Sequence, residues 1–118
     1  MSDESLVSNK SLRYSLISCL LLRCGSNNNT ILERLSLCDF ESLPDGGMGS
    51  FIVVGLCNKG RSRLKAEAVY IDSDGVEVNI GLYVDGDGFP RDVDFWKVDF
   101  NPLAKFPTDN ELIDIKCY

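Results

Sequence analysis

The sequence predicts an α+β fold: two N-terminal helices packed on one face of a curved, mainly antiparallel sheet of about five strands. Two observations support this class. Apolar residues recur at helical spacing up to residue 24, and from residue 61 to residue 84 they alternate with polar ones, between Gly-rich and Asp-rich turns. The length of 118 residues suffices for a core. We expect one domain over residues 1–118, with residues 1–7 as a flexible tail.

The first helix is expected to begin at Ser8 or Asn9, either of which can cap it, and to run to about Cys24, where Gly25 ends it. Its apolar residues share one broad face: Leu12, Tyr14, Leu16, Ile17, Leu20 and Leu21. A polar break at residues 26–30 precedes a shorter second helix. The residues of that helix that we expect to be buried are Ile31, Leu32, Leu35 and Leu37.

The strands are expected between turns. Short runs at residues 38–43 and 51–54 flank a Pro-Asp-Gly-Gly turn, and the second run is apolar on both faces, as a covered central strand would be. After a turn at residues 57–60 and one further strand, two Asp-x-Asp-Gly turns divide residues 69–100 into a meander. Residues 112–115 fit a terminal strand or helix. The predicted inward positions are Leu64, Ala66, Ala68, Tyr70, Val76, Val78, Ile80, Leu82 and Val84.

Cysteine usage and the N-terminus indicate a cytoplasmic protein. The five Cys residues, at positions 19, 24, 38, 57 and 117, show no Cys-x-x-Cys spacing, and the chain has no His for a mixed zinc site. We therefore expect five free thiols in a reducing compartment. Asp3 and Glu4 stand where an export signal carries basic residues, and the longest apolar run, residues 19–22, is too short to span a membrane.

The charge of the chain is unevenly distributed. Residues 72–99 hold eight carboxylates against Arg91 and Lys97, so this segment alone has a net charge of −6, equal to that of the whole chain. Such a field repels nucleic acid and attracts basic proteins. The partner-binding residues that we predict are Asp72, Asp74, Asp85, Asp87, Asp92 and Asp94. We expect them on exposed turns and on an outward strand face, opposite Lys and Arg side chains of the partner.

The residue pattern predicts no catalytic residue, no cofactor and no metal. Without His, a Ser or Cys nucleophile lacks its usual base. The Asp-x-Asp-Gly turns do not match a calcium loop, because Tyr70 and Tyr83 stand where the first ligand should be. Residues 46–50 are Gly-rich but lack the Lys of a phosphate loop. Trp96, which has aromatic neighbours of both parities, is expected in the core.

Three segments, in this order, resemble a family of small bacterial proteins of unknown function. They are Asp-Gly-Gly-Met-Gly-Ser at residues 45–50, Asp-Ser-Asp-Gly at residues 72–75 and Trp-Lys-Val-Asp-Phe-Asn-Pro-Leu at residues 96–103. The resemblance covers roughly residues 10–107 and implies a helical N-terminus and structural rather than catalytic motifs. In type, the chain is also similar to immunity proteins of contact-dependent growth inhibition and other polymorphic toxin systems, which are small, acidic cytosolic domains without active sites.

These observations favour a non-enzymatic binding protein, most concretely an immunity protein that neutralises a basic toxin, such as a nuclease, through an acidic surface. One alternative is a small ligand-binding domain or enzyme with a pocket between the helices and the sheet. Another is a structural subunit whose sheet edge mediates oligomerisation. The sequence leaves the oligomeric state open.

Overall fold

The computed structural model describes residues 2–25, 29–55 and 60–118, and describes residues 2–9 by their backbone alone. The centre of the predicted polar break and most of the predicted turn at residues 57–60 lie outside this part of the chain. The helices are α1 (Ser2–Arg23) and α2 (Asn29–Ser36). The strands are β1 (Asp39–Ser42), β2 (Phe51–Val54), β3 (Arg63–Ile71), β4 (Glu77–Val84), β5 (Pro90–Lys97) and β6 (Leu112–Cys117), the last of them preceded by a short 3₁₀ helix, Asp109–Glu111.

The described strands form one six-stranded sheet in the order β1-β2-β5-β4-β3-β6, and every neighbouring pair is antiparallel. Two helices precede this sheet in the chain, so the predicted α+β class is confirmed. The number of strands exceeds the predicted five because residues 112–117 form a strand. The backbone of β3 offers these residues an open edge, and pairing with that edge settles the choice between strand and helix.

The helices cover one face of the sheet through an apolar stripe. The buried residues of the helices are Leu16, Ile17, Leu20, Leu21, Ile31 and Leu35. Their spacing of three and four residues places them on the side that the sequence predicted. Leu37, which was also predicted to be buried, is 85% exposed, because α2 ends at Ser36 and the helical repeat no longer holds at residue 37. Helix α1 begins at Ser2, not at the predicted caps Ser8 and Asn9. Capping residues express a weak local preference, and a helix can continue through them.

The alternating strands turn the predicted residues toward the helices. The buried inward residues of β3, β4 and β5 include Ala66, Ala68, Tyr70, Val78, Ile80, Leu82, Val84, Val93 and Phe95. Leu64 was predicted to share this face and does not. It pairs with Tyr83 while Ala66 pairs with Leu82, so Lys65 is an extra residue in β3. This β-bulge changes the parity of the strand and turns Leu64 to the opposite face.

The expectation of five free thiols is wrong. Cys24, just after α1, and Cys117, at the end of β6, form a disulfide across a sequence separation of 93, with their Cα atoms 5.5 Å apart. Sequence spacing could not show this pair, because the two residues meet only after β6 has paired with β3. Cys19 and Cys38 are free, and Cys57 lies outside the described residues.

Candidate functional site

The six aspartates predicted to bind a partner are not equally accessible. Asp72 and Asp85 are buried, with relative exposures of 3% and 0%, so they cannot face a partner. This corrects the expectation that all of them project from exposed turns or strand faces. A buried carboxylate requires donors within the fold, and both residues have them. The others stay exposed or half-buried, and their partner-binding role remains a prediction: Asp74, Asp87, Asp92 and Asp94.

Asp72 forms the centre of a buried ion pair. The Lys97 ammonium donates to its carboxylate at 2.8 Å. Three backbone N–H groups donate to it as well, at 2.7–3.0 Å, those of Ser73, Ala104 and Lys105. Burial by itself would raise the pKa of Asp72, but these donors lower it to about 2. Through these hydrogen bonds, Asp72 connects the β3–β4 turn to the segment that follows β5.

Lys97 uses all the donors of its ammonium within the fold. It is fully buried, and besides Asp72 it donates to Asp74 at 2.5 Å and to the Pro102 carbonyl at 3.0 Å. The hydrogen bonds to Asp72 and Asp74 raise the pKa of Lys97, which keeps the side chain charged. Both carboxylates of the first Asp-x-Asp-Gly turn are thus paired with one lysine of the same chain, which offsets one of their two negative charges.

Asp85 supports the second Asp-x-Asp-Gly turn from inside. Its carboxylate accepts hydrogen bonds from the N–H groups of Asp87 at 2.9 Å and Phe89 at 3.0 Å. The Asp85 carbonyl accepts the N–H of Gly88, whose φ of 86° suits glycine. A lysine at position 85 would remove these acceptors and place a charge in a fully buried position. Asp85 is therefore a turn-forming residue and not a surface residue.

The face of the sheet opposite to the helices holds the remaining acidic residues of β5. We call this the outward face and define it by three rows of paired residues across β3, β4 and β5. The rows are Leu64–Tyr83–Asp92, Glu67–Gly81–Asp94 and Val69–Asn79–Trp96. These rows contain three carboxylates and no Lys or Arg, and on β6 Lys116 pairs with Glu67 at the end of the middle row, so the face is acidic at β4 and β5 and carries a cation at its β6 edge.

Trp96 lies on the outward face and not in the core, where the sequence had predicted it. It is 52% exposed, whereas its neighbour Phe95 is 1% exposed. The pleat of β5 explains the difference, because successive side chains point to opposite faces and Phe95 and Lys97 point inward. The ring of Phe100, which is 65% exposed, lies 5.7 Å from the ring of Trp96. The two rings form an exposed aromatic ridge beside the acidic rows.

The backbone of Phe100 is strained. Its φ of 63° lies in the left-handed region, which costs a residue with a side chain roughly 1–2 kcal/mol. The N–H of Phe100 donates to the Lys97 carbonyl at 2.9 Å, which closes a turn after β5. Strain of this kind often occurs at binding sites, and here it accompanies an aromatic side chain held in solvent.

Gly81 lies at the centre of the outward face, and the side chains of Leu64 and Tyr83 lean over it to 3.4 Å from where a Cβ would be. Its φ is not in the left-handed region, so the backbone does not require glycine at this position. A glycine inside a strand often marks a place where another group approaches the backbone closely. A cavity of about 200 Å³ lies here, lined by Leu64, Glu67, Asn79, Ile80, Gly81, Tyr83, Asp94 and Trp96.

Carboxylates determine the electrostatics of this cavity. Burial raises the pKa of Tyr83, and the negative charges of Asp94, Asp92 and Glu67 raise it further. Burial also raises the pKa of Asp92. The hydroxyl of Tyr83 ionises less readily because three carboxylates lie nearby, which indicates a negative electrostatic potential in the cavity. The outward face is therefore suited to a cation.

Two of the further cavities in the described part of the chain bear on the proposals for this protein. One, of about 360 Å³, lies over β3, β4 and β6 and shares Glu67 and Asn79 with the Gly81 cavity, so the two together form a groove across the outward face. The other, of about 350 Å³, lies between α1, α2 and β1, with Tyr14 and Phe40 in its lining. Lys10 lines this second cavity and is paired with Asp39 at 3.0 Å.

The outward face offers binding chemistry. It combines exposed aromatic rings, which attract cations, with carboxylates, which accept hydrogen bonds from Lys and Arg side chains. Among the residues whose placement is described, no group of three or more His, Cys, Asp or Glu could hold a metal ion.

Sequence reasoning did not identify Gly81, Tyr83 and Trp96 as neighbours in a candidate site. One signal was present: Gly81 interrupts the polar positions of β4, and a strand interior disfavours glycine. Leu64 gave no such signal, because only the bulge at Lys65 brings it to this face.

Comparison of the sequence with models of known protein families identifies a matching family. The model of a family described as a domain of unknown function, DUF6984, matches residues 10–107, which run from α1 to the segment after β5. No curated protein and no solved structure matches the chain significantly. Of the helices within the described ranges, none combines the length and the apolar character needed to cross a membrane.

Proposed function

The chain belongs to the family described as domain of unknown function DUF6984, and we propose that it is a non-enzymatic binding protein that holds a basic protein partner on its outward face. The most concrete form of this proposal is an immunity protein that neutralises a basic toxin, such as a nuclease, by covering the active site of the toxin. The description of the family leaves its function open, so the support comes from the geometry of the outward face.

The observation that supports the proposal is an exposed aromatic pair beside exposed carboxylates. Trp96 and Phe100 are each more than half exposed and contact each other. Tryptophan is typical of the anchors of protein interfaces, because its large ring gains much from desolvation. The rings therefore mark the part of the sheet that a partner would cover.

The charge of the outward face indicates the sign of the partner. Asp92 and Asp94 lie in rows without Lys or Arg across β3, β4 and β5, whereas Glu67 has Lys116 of β6 as its neighbour. Lys and Arg side chains of a partner would complement these carboxylates and speed the encounter. Nuclease active sites carry such side chains to hold phosphates, so they fit an acidic surface of this kind.

Growth rescue tests the proposal. If a toxin-like domain is encoded beside this gene, it is expressed in a host together with the wild type or with the Asp92→Lys, Asp94→Lys double variant. We expect the wild type to restore growth and the double variant to fail. With purified proteins, association should slow as salt is added, because the Debye length falls to about 8 Å at physiological ionic strength.

A matched control changes the net charge equally in another place. Glu33 and Asp109 are exposed on α2 and on the 3₁₀ helix, outside the rows of the outward face, and the Glu33→Lys, Asp109→Lys variant should still rescue growth. Rescue by the outward-face variant, with an association rate that is flat in salt, would refute the proposal. Failure of the control would show that total charge acts instead of the outward face.

The cavity between α1, α2 and β1 supports the alternative of a small-molecule site. It lies where helices meet sheet, and Tyr14 and Phe40 give it an apolar lining. Its charged lining residue, Lys10, is already paired with Asp39, which leaves little polar chemistry to select a ligand. The outward face therefore remains the better supported site.

A further inference from the structure

The Gly81 cavity has the dimensions of a pocket for one side chain. Glu67 on β3 and Asp94 on β5 stand in the same row as Gly81 on β4. Neighbouring strands are about 4.8 Å apart. A group that lies above Gly81 is therefore about 5 Å from the backbone of each flanking strand, and both carboxylates can reach it.

Aromatic rings close the pocket along the strand direction. Tyr83 is the next outward residue of β4 beyond Gly81, and Trp96 is the next outward residue of β5 beyond Asp94. Successive outward residues of a strand are about 7 Å apart, and a cation is attracted to a ring face within about 6 Å. A planar guanidinium suits such a pocket better than an ammonium, because it stacks on rings and presents several N–H donors in one plane.

We propose that this pocket holds an arginine side chain of the partner, with the guanidinium above Gly81 and between the rings of Tyr83 and Trp96. The carboxylate of Glu67, which also accepts the hydroxyl of Tyr118, and that of Asp94, which also accepts the hydroxyl of Ser50, then accept its N–H groups with their remaining lone pairs. This inference rests on the proposed function, since it names the chemical group that the outward face recognises. The glycine supports it independently of the charges, because any larger residue at position 81 would occupy the space that the guanidinium needs.

The variant Gly81→Ala tests the pocket without a threat to the fold. A Cβ at position 81 would meet the Leu64 Cδ1 and Tyr83 Cε1 atoms at 3.4 Å, close to ordinary contact. Alanine is also less costly than glycine inside a strand, so the melting temperature should stay the same or rise. The probe is a fluorescent peptide of six arginines, compared with matched peptides of six lysines and six citrullines. Citrulline keeps the shape of arginine and lacks its charge.

We expect the wild type to bind the arginine peptide more tightly than the lysine peptide and not to bind the citrulline peptide. Gly81→Ala should weaken the binding of the arginine peptide about tenfold. The control is Ile71→Ala, which changes an exposed apolar residue farther along β3 and should leave the affinity unchanged. Equal binding of the arginine and lysine peptides, with Gly81→Ala equal to the wild type, would overturn the inference.

The same variants separate this inference from the proposed function. If the Asp92→Lys, Asp94→Lys variant loses toxin neutralisation while Gly81→Ala keeps neutralisation and peptide affinity, the pocket is refuted and the proposed function stands. If Gly81→Ala loses the peptide while charge reversal leaves neutralisation intact, the pocket exists and the proposed function fails.

Discussion

Replacement of Asp72 by Asn is the sharpest perturbation of the fold that the structure suggests. Asn keeps the shape of the side chain and removes its charge. In the variant, the buried Lys97 ammonium keeps Asp74 and the Pro102 carbonyl but loses its buried counter-ion. The backbone N–H groups of Ala104 and Lys105 lose a charged acceptor for a neutral one. The connection between the β3–β4 turn and the segment after β5 should therefore weaken.

Two independent estimates give similar costs for this change. A carboxylate with a pKa of about 2 in the folded protein and about 3.9 in the unfolded chain stabilises the fold by roughly 2.5 kcal/mol at pH 7. Loss of one partner of a buried ion pair costs about 3–5 kcal/mol. Because Lys97 retains Asp74, we expect a loss of about 2–4 kcal/mol at pH 7, with a melting temperature lower by roughly 10 °C.

The pH dependence of the loss identifies its cause. Folding lowers the pKa of Asp72, so its contribution is complete above the unfolded pKa and disappears as the pH falls through the folded pKa. The wild type should therefore lose more stability than Asp72→Asn between about pH 5 and pH 2, and the difference between the two proteins should shrink. Urea unfolding at pH 7, 4 and 2.5 measures this.

The control for this experiment is Asp87→Asn, which changes an exposed carboxylate in the second turn and should alter the free energy of unfolding by no more than about 0.5 kcal/mol. A cost below about 1 kcal/mol for Asp72→Asn at pH 7 would show that Lys97 does not depend on Asp72 as its counter-ion. A difference from the wild type that is as large at pH 2.5 as at pH 7 would show the same.

Four further predictions concern single features of the fold. Dithiothreitol should lower the melting temperature, because the Cys24–Cys117 bridge spans 93 residues and a loop of that size is stabilised by at most about 4–5 kcal/mol; a Cys24→Ser, Cys117→Ser variant should not respond to the reductant, and a response would indicate another bridge. In urea titrations, Phe95→Ala should cost about 3–5 kcal/mol and Trp96→Ala less than about 1.5 kcal/mol; equal costs would place both rings in the core. Phe100→Asn should raise the melting temperature by a few degrees, because Asn tolerates a φ of 63°, whereas a lower melting temperature would show that the ring contributes more than the strain costs. Millimolar calcium should leave the melting curve unchanged, because hydrogen bonds within the fold already use the first carboxylate of each Asp-x-Asp-Gly turn; a saturable rise would contradict this.

The sequence by itself determined the class of the fold and the faces of most elements. Alternation along β4 predicted that Val78, Ile80 and Leu82 are buried, and they are. The spacing of Leu16 and Leu20 likewise predicted the buried side of α1. These properties follow from the helical repeat and the strand pleat, which are local, so a local pattern contains them. The overall negative charge and the lack of His are also properties of composition alone.

Only the tertiary structure decided which of these residues are available to a partner. Asp72 and Asp94 were both predicted to face a partner, yet the first is buried because Lys97, 25 residues later, and the segment after β5 close over it. Cys24 meets Cys117 only across the assembled sheet edge. Such contacts join residues far apart in the chain, and their formation depends on how strands pair. No local pattern records that pairing, because the pattern states which face a residue prefers and not which distant residue will cover it.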